Sequence, residues 1–79
     1  MKSAEFLKQL SRGQKTFAGL DLGRTHMPEA DLHGLDLSGA NLSGADLNHA
    51  VLRSANLGNT NQAGAVFVGA MMPDNTIHP

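Results

Sequence analysis

The sequence contains no cysteine, tryptophan or tyrosine, and its 79 residues include only three phenylalanines. Without cysteine there can be no disulfide framework, no thiolate metal site and no cysteine nucleophile. A domain this small has a marginally stabilising core, which normally relies on more aromatic rings than Phe6, Phe17 and Phe67 supply. The apolar residues are mostly leucine and alanine, which indicates a narrow interior filled by repetition.

An excess of one charge is also lacking, since six basic and seven acidic residues leave a net charge of -1 and a pI near 6.4. Binding to nucleic-acid phosphates needs clustered Lys and Arg, and the basic residues here are scattered, so we expect no nucleic-acid partner. No apolar h-region follows Lys2, and no stretch approaches the roughly 20 apolar residues of a membrane helix. We therefore expect no membrane partner and a soluble protein in the reducing cytoplasm.

A five-residue repeat occupies residues 15–74. The third position of each unit is large and apolar in eleven of twelve units, and the exception is Gln62. The first position is small or apolar from Leu20 onward, the second is mostly Asp or Asn, and Gly, Ser, Asn, Arg and His dominate the fourth and fifth. A period of five fits neither an amphipathic helix nor a two-faced strand.

A chain that turns by about a right angle at every unit fits this pattern. Positions one and three then point inward, and positions four and five form a corner where Gly and Asn tolerate a positive φ. Four units close one coil, so residue n stacks on residue n+20 at the inter-strand distance of about 4.8 Å. Leu22, Leu42 and Gln62 form one of the predicted columns.

Units such as ADLHG, ANLSG, ADLNH and ANLGN resemble the pentapeptide-repeat family. The resemblance covers roughly residues 16–74 and implies an all-β solenoid, a right-handed quadrilateral β-helix of about three coils. We divide the chain into an N-terminal capping helix (1–14), the β-helix (15–74) and a C-terminal tail (75–79). The ending MPDNTIHP is similar to those of cyanobacterial members.

The two ends of a solenoid need caps. At the N-terminal end, Ser3 is predicted to be the N-cap of a helix over Ala4–Ser11, with Gly13 as its C-terminal stop. At the other end, the tail has one large apolar residue, Ile77. It either folds back on the last coil or leaves an open edge, and open edges pair with other chains.

No catalytic, cofactor or metal site is predicted, and we expect the protein not to be an enzyme. His26 should lie beside Asp46 and Glu29 beside His49 as exposed pairs, and no three ligands converge as zinc requires. A flat-sided coil also offers no cleft in which a nucleophile and a base could meet. Gln62 should hydrogen-bond to backbone groups or turn outward.

Five apolar residues occupy outward positions near the C-terminal end and form the predicted protein-interaction patch: Val51, Val66, Val68, Met71 and Ile77. The alternative is that the tail covers them. The expected function is a non-catalytic scaffold or adaptor whose partner is an unidentified protein or, through the C-terminal coil end, a second copy. The family resemblance also implies an alternative, a DNA-like inhibitor or protector of an enzyme such as DNA gyrase, but the column Asp21, Asn41, Asn61 provides no long acidic face.

Overall fold

The computed structural model describes residues 2–79 and contains one helix in that range, α1, Ser3–Ser11. The repeat region follows as a chain of short extended segments joined by turns. Its backbone pairing consists of isolated bridges rather than longer strands within residues 2–79, and eight parallel bridges join second-position residues 20 apart, from Thr16–Asp36 to Val51–Met71. The predicted stacking of residue n on residue n+20 is confirmed.

Twenty residues therefore make one coil, and three coils stack: 15–34, 35–54 and 55–74. Each coil has four sides, which we number as faces 1 to 4. Face 1 consists of 15–19, 35–39 and 55–59; face 2 of 20–24, 40–44 and 60–64; face 3 of 25–29, 45–49 and 65–69; face 4 of 30–34, 50–54 and 70–74. Neighbouring coils are joined by backbone hydrogen bonds, as when Phe17 donates its N–H to Asp36 O at 2.8 Å and Asp36 donates to Lys15 O at 2.9 Å.

First and third positions fill the interior, as predicted. Leu22, Leu47 and Leu52 are completely buried at third positions, and the first positions Ala45 and Ala50 are equally inaccessible. Side chains from four faces meet along one axis, so only small residues fit beside the leucines. The core is a narrow rod of stacked Leu, Met, Phe and Ala side chains.

The corners are turns that need a left-handed residue at the fifth position. Every fifth-position residue from Gly19 to Gly69 has φ between 58° and 71°. The third-position carbonyl accepts from the next first-position N–H, as in the 3.0 Å bond from Ala45 N to Leu42 O. This is the pattern of type II turns, in which the residue before the last has a positive φ.

Helix α1 begins one residue earlier than predicted, at Ser3, and its N-cap is Lys2, which makes no side-chain capping bond. The prediction that Ser3 caps the helix is wrong because its hydroxyl oxygen accepts the N–H of His26 at 2.8 Å. That bond ties the helix to face 3 of the first coil. The predicted stop is confirmed, since Gly13 has φ 87° and donates its N–H to Leu10 O.

The helix packs on the coil through Phe6. Its side chain is completely buried, and its ring centroid lies 4.6 Å from that of Phe17. The two rings are tilted by 56°, one of the arrangements that aromatic pairs favour. Leu10 is partly buried against the same core, whereas Leu7 stays exposed.

The C-terminal tail folds back on face 4 of the last coil. Ile77 forms an antiparallel bridge with Met71. Met72 donates its N–H to Thr76 O at 2.7 Å, and His78 donates to Ala70 O at 2.8 Å. Of the two outcomes expected for the tail, it folds back: it adds one strand above face 4, and His78 also reaches face 3, where its carbonyl accepts the N–H of Gly69 at 2.8 Å and its ring centroid lies 5.8 Å from that of Phe67.

Candidate functional site at the C-terminal end

Second-position Asp and Asn side chains hold the turns of their own units. Asp36 Oδ1 accepts the N–H of Ser38 at 3.0 Å and its hydroxyl at 2.6 Å, and Asn56 Oδ1 accepts the N–H of Gly58 at 2.9 Å. The hydroxyl and peptide N–H of Ser38 lower the pKa of Asp36 below its usual value. These polar columns are therefore part of the coil's internal bonding.

The column on face 2 illustrates why the wall is not a DNA-like acidic surface. Asn41 donates its side-chain N–H to Asp21 Oδ1 at 3.0 Å, and the next residue above is Asn61. The peptide N–H of Gly23 is the largest cause that lowers the pKa of Asp21. One carboxylate is followed by two neutral amides, so negative charge does not accumulate along this face.

One of the two predicted histidine pairs forms. His26 Nδ1 lies 3.1 Å from Asp46 Oδ2, whereas Glu29 and His49 make no ion pair, although both belong to the described chain. The His49 ring instead lies over Gly69, in the space that a β-carbon there would occupy. Glu29 and His49 stack one coil apart as expected, but they make no ion pair because Gly69 leaves room for the ring of His49 on the upper side.

Sequence reasoning missed a further pair, in which His33 Nδ1 lies 2.7 Å from Asp31 Oδ1. The sequence did contain a signal for this pair: Asp31 and His33 are the second and fourth residues of one unit, and those two positions point to the same side. The side-chain hydrogen bond of His33 is the largest cause that lowers the pKa of Asp31. Within residues 2–79 no three His, Cys, Asp or Glu side chains are grouped so that they could hold a metal ion, and no pocket is found in the surface.

Gln62 lies at the open end of the last coil and bonds to the side chain of a neighbouring first-position residue. Its Nε2 donates to Thr60 Oγ1 at 2.8 Å, and Thr60 Oγ1 donates to Leu57 O at 2.9 Å. Gln62 is exposed, unlike Leu22 and Leu42 below it, because no further coil covers this end. The top of face 2 is consequently polar.

The five residues of the predicted interaction patch lie on two adjoining faces. Val51 and Met71 are half-buried and stack on face 4, and Ile77 continues that column with its side chain 59% exposed. On face 3, Val66 and Val68 are 39% and 50% exposed. The tail therefore does not cover the valines of face 3.

Backbone groups at the C-terminal edge are unevenly paired. Within residues 2–79, five N–H groups and three C=O groups of faces 1 to 3 that point beyond the last coil make no backbone hydrogen bond: N–H of Leu57, Asn59, Gln62, Gly64 and Phe67, and C=O of Ala55, Thr60 and Ala65. On face 4, Met72 N–H and Ala70 C=O are bonded to the tail, and at the end of face 3 Gly69 donates its N–H to His78 O at 2.8 Å. Faces 1 and 2 thus keep an open edge at this end, and face 3 is open up to Gly69.

Comparison with known proteins identifies the repeat. The model of the family described as "Pentapeptide repeats (8 copies)" matches residues 16–44 and 45–74. Comparison with curated protein sequences gives no match. Within residues 2–79 no helix has the length and apolarity needed to span a membrane.

Two solved structures from a cyanobacterium are similar to the chain. The pentapeptide repeat protein alr5209 from Nostoc PCC 7120 is 29% identical over 89% of this chain and 79% of its own, with a TM-score of 0.46. HetL, a pentapeptide repeat protein involved in heterocyst differentiation regulation in Nostoc sp. strain PCC 7120, is 32% identical, with a TM-score of 0.31. That match covers 80% of this chain but only 40% of HetL.

The family match and the structure agree on the extent of the repeat region. The matched residues 16–44 and 45–74 span the region in which second positions bridge at intervals of 20. Pentapeptide repeat proteins are repeat scaffolds that fold as right-handed quadrilateral β-helices and are generally not enzymes. This chain belongs to the pentapeptide repeat family.

Proposed function

We propose that the protein is a non-catalytic scaffold or adaptor that binds a protein partner, or a second copy of itself, through its C-terminal end. The observation that carries this proposal is the exposure of Val66, Val68 and Ile77 on adjoining faces of an otherwise polar wall. Contiguous exposed apolar residues on a small protein mark interaction sites. The interaction patch consists of these three residues together with Val51 and Met71, which lie beneath Ile77 on face 4.

The polar side chains of the walls support the non-catalytic part of the proposal. Asp36 and Asp74 each accept a peptide N–H and a hydroxyl from the residue two positions later, which are Ser38 and Thr76. A nucleophile needs a base within reach and a space for substrate. Here hydroxyl and carboxylate are bonded to each other on a convex surface.

The family also supports the finer features of the architecture. We include in the proposal a right-handed coil, as in other pentapeptide repeat proteins, and a capping role for α1, whose Phe6 seals the first coil against Phe17. With the helix at one end and the tail on face 4, the remaining apolar surface is concentrated at the C-terminal end. A cytoplasmic location is part of the same proposal.

A pull-down with matched lysine variants tests the interaction patch. Tagged protein with Val66→Lys and Val68→Lys should lose partners that the parent chain captures from the native host, because a buried charge at an apolar contact is costly. Leu7→Lys is the control, since Leu7 is 40% exposed at the opposite end of the molecule. Capture that survives both valine changes, or is lost equally with Leu7→Lys, would place the partner elsewhere and contradict the proposal.

A further inference from the structure

We propose that two copies of this chain associate through their C-terminal ends, with the tail of each copy pairing through its backbone with face 1 of the other. This inference rests on the C-terminal interface of the proposed function and specifies one occupant for it. Two complementary features carry it: the free edge of the tail and the open edge of face 1.

The first feature is the outer edge of the tail at Ile77. In the antiparallel bridge between Met71 and Ile77, the hydrogen bonds are made by their neighbours, from Met72 N to Thr76 O and from His78 N to Ala70 O. The opposed residues of such a pair direct their own N–H and C=O away from each other. Within residues 2–79, no backbone hydrogen bond uses the N–H or C=O of Ile77.

The second feature is the edge of face 1 on either side of Asn56. One coil lower, Leu37 donates its N–H to Asn56 O at 2.9 Å, and Asn56 donates to Leu35 O at 2.8 Å. The equivalent groups of the last coil are Leu57 N–H and Ala55 C=O, which have no backbone partner in the described chain. Face 1 therefore lacks the next second-position residue, which would supply one C=O and one N–H.

Ile77 offers that pair of groups, but it cannot offer them to its own face 1. The tail lies above face 4, with the free groups directed away from the coil. A second copy placed end to end can use them. A twofold axis through the corner between faces 4 and 1 brings each tail over face 1 of the other copy, which makes the contact self-complementary.

Strand direction agrees with this arrangement. Coils that meet end to end about a twofold axis circulate in opposite directions, so face 4 of one copy runs antiparallel to face 1 of the other. The tail is antiparallel to its own face 4 and hence parallel to the face 1 it meets. All eight bridges between coils are parallel as well, so Ile77 would occupy the place of a second-position residue in a fourth coil.

The shape of the end also agrees, because the tail stands one strand above face 4 while face 1 is one strand short. The tail adds one strand, about 4.8 Å, to the height of face 4, and nothing is added above face 1. With the twofold axis at this corner, each raised tail meets a lowered edge. Both copies can then approach without displacing either tail.

Charge distribution favours association at this end. All six Lys and Arg residues and six of the seven Asp and Glu residues lie at or before Arg53, and Asp74 is the exception. Depletion of charge is characteristic of the centre of an interface. Two such ends therefore meet with little like-charge repulsion.

Two substitutions at one position separate backbone pairing from side-chain contact. Ile77→Pro removes the outward N–H and leaves the bonds of Thr76 and His78 to the coil in place. Ile77→Thr keeps the N–H and the β-branched shape but removes apolar surface. In sedimentation equilibrium of the full chain, we expect a dimer whose dissociation constant rises at least about tenfold with Ile77→Pro and stays within about threefold with Ile77→Thr.

Hydrogen exchange of the parent chain tests the same pairing without any substitution. Raising the protein concentration should slow exchange at the amides of Leu57 and Ile77. The amide of Gln62 also has no backbone partner but belongs to face 2, so its exchange should not change and serves as the internal control.

The proposal is overturned by a chain that stays monomeric up to about 1 mM, by loss of the dimer with Ile77→Thr but not with Ile77→Pro, or by protection at Gln62 in place of Leu57. A monomer that still captures a protein through Val68 would remove this inference and leave the proposed function standing. A dimer whose chain captures no other protein would confirm the inference and limit the partner to a second copy.

Discussion

Second-position side chains show how a single residue type stabilises a turn that recurs along the coil. The oxygen of Asn41 accepts the N–H of Ser43 at 3.0 Å, and that of Asn61 accepts the N–H of Ala63 at 3.1 Å. Asp and Asn share this acceptor but differ in charge, so the repeat can alternate between them without losing the bond. Asn41 uses its amide donor as well, to bind Asp21 below it.

Corner residues with a positive φ give the first prediction. Gly34 and Ser54 occupy the same corner of face 4 in successive coils, with φ of 71° and 62°. Ser54→Gly should stabilise the chain by about 0.5–1 kcal/mol. Glycine removes the free-energy cost of holding serine at a positive φ, and this gain is larger than the entropic cost of a more flexible unfolded chain. Urea unfolding measures the change.

Gly34→Ser is the reciprocal control. No atom lies within 4 Å of the position that its β-carbon would take, so the change adds strain without a clash. We expect a loss of about 0.5–1 kcal/mol. If both variants shift the midpoint in the same direction, corner strain is not what sets their stability.

At the level of elements, the five-residue period predicted the structure of the coils, whereas the two ends have no repeat from which their structure could be predicted. Because the same five-residue pattern recurs twelve times, the inward positions of Leu22 or Leu47 follow from register alone. The role of Ser3 could not be predicted, since its hydroxyl can serve either the helix or a distant N–H, and only the docking of α1 decides between them. The tail has no repeat either, and its return over face 4 depends on backbone groups left open at Ala70 and Met72.

The candidate site was partly predictable for the same reason. Outward alternation placed Val66 and Val68 on the surface, and the structure leaves both exposed. The sequence pattern did not predict that the ring of His49 turns away from Glu29, because this depends on the space left by Gly69 one coil above. Nor could it show which backbone edges the tail leaves unpaired.

Helix α1 gives the second prediction. Phe6→Ala should cost about 3–5 kcal/mol because it removes a fully buried ring that packs on Phe17. Leu7→Ala, one residue away and 40% exposed, should cost less than about 1 kcal/mol. Urea unfolding followed by far-UV circular dichroism compares them, and similar losses for both would show that the helix does not pack through Phe6.

At the scale of the whole molecule, acidic groups bonded within turns couple folding to pH. The carboxyl pKa is lowered in four aspartates, Asp21, Asp31, Asp36 and Asp74. All four accept hydrogen bonds from groups two residues later, through a hydroxyl, an imidazole or a peptide N–H. They lie on faces 1, 2 and 4, so protonation of these carboxyls at low pH weakens turns around the coil rather than at one corner.

The third prediction follows from the sign of these shifts. A carboxyl whose pKa is lower in the folded state contributes stability above its unfolded pKa, near 3.8 here, and that stability is lost as the pH falls through the folded pKa. The urea midpoint should therefore show no contribution from these groups to its pH dependence between pH 7 and about 5, and should fall steadily below about 4.

Asp36→Asn provides the matched variant for this prediction. The amide keeps an acceptor for the N–H of Ser38, as Asn56 does for Gly58 one coil above, but it does not titrate in this range. Its urea midpoint should lie somewhat below that of the parent at pH 7, where the ionised carboxylate contributes stability, and the difference should narrow in acid because one of four linked carboxyls is gone. An unchanged slope below pH 4 would mean that protonation of the turn carboxyls does not drive acid unfolding, and that the coils lose stability in acid through another group.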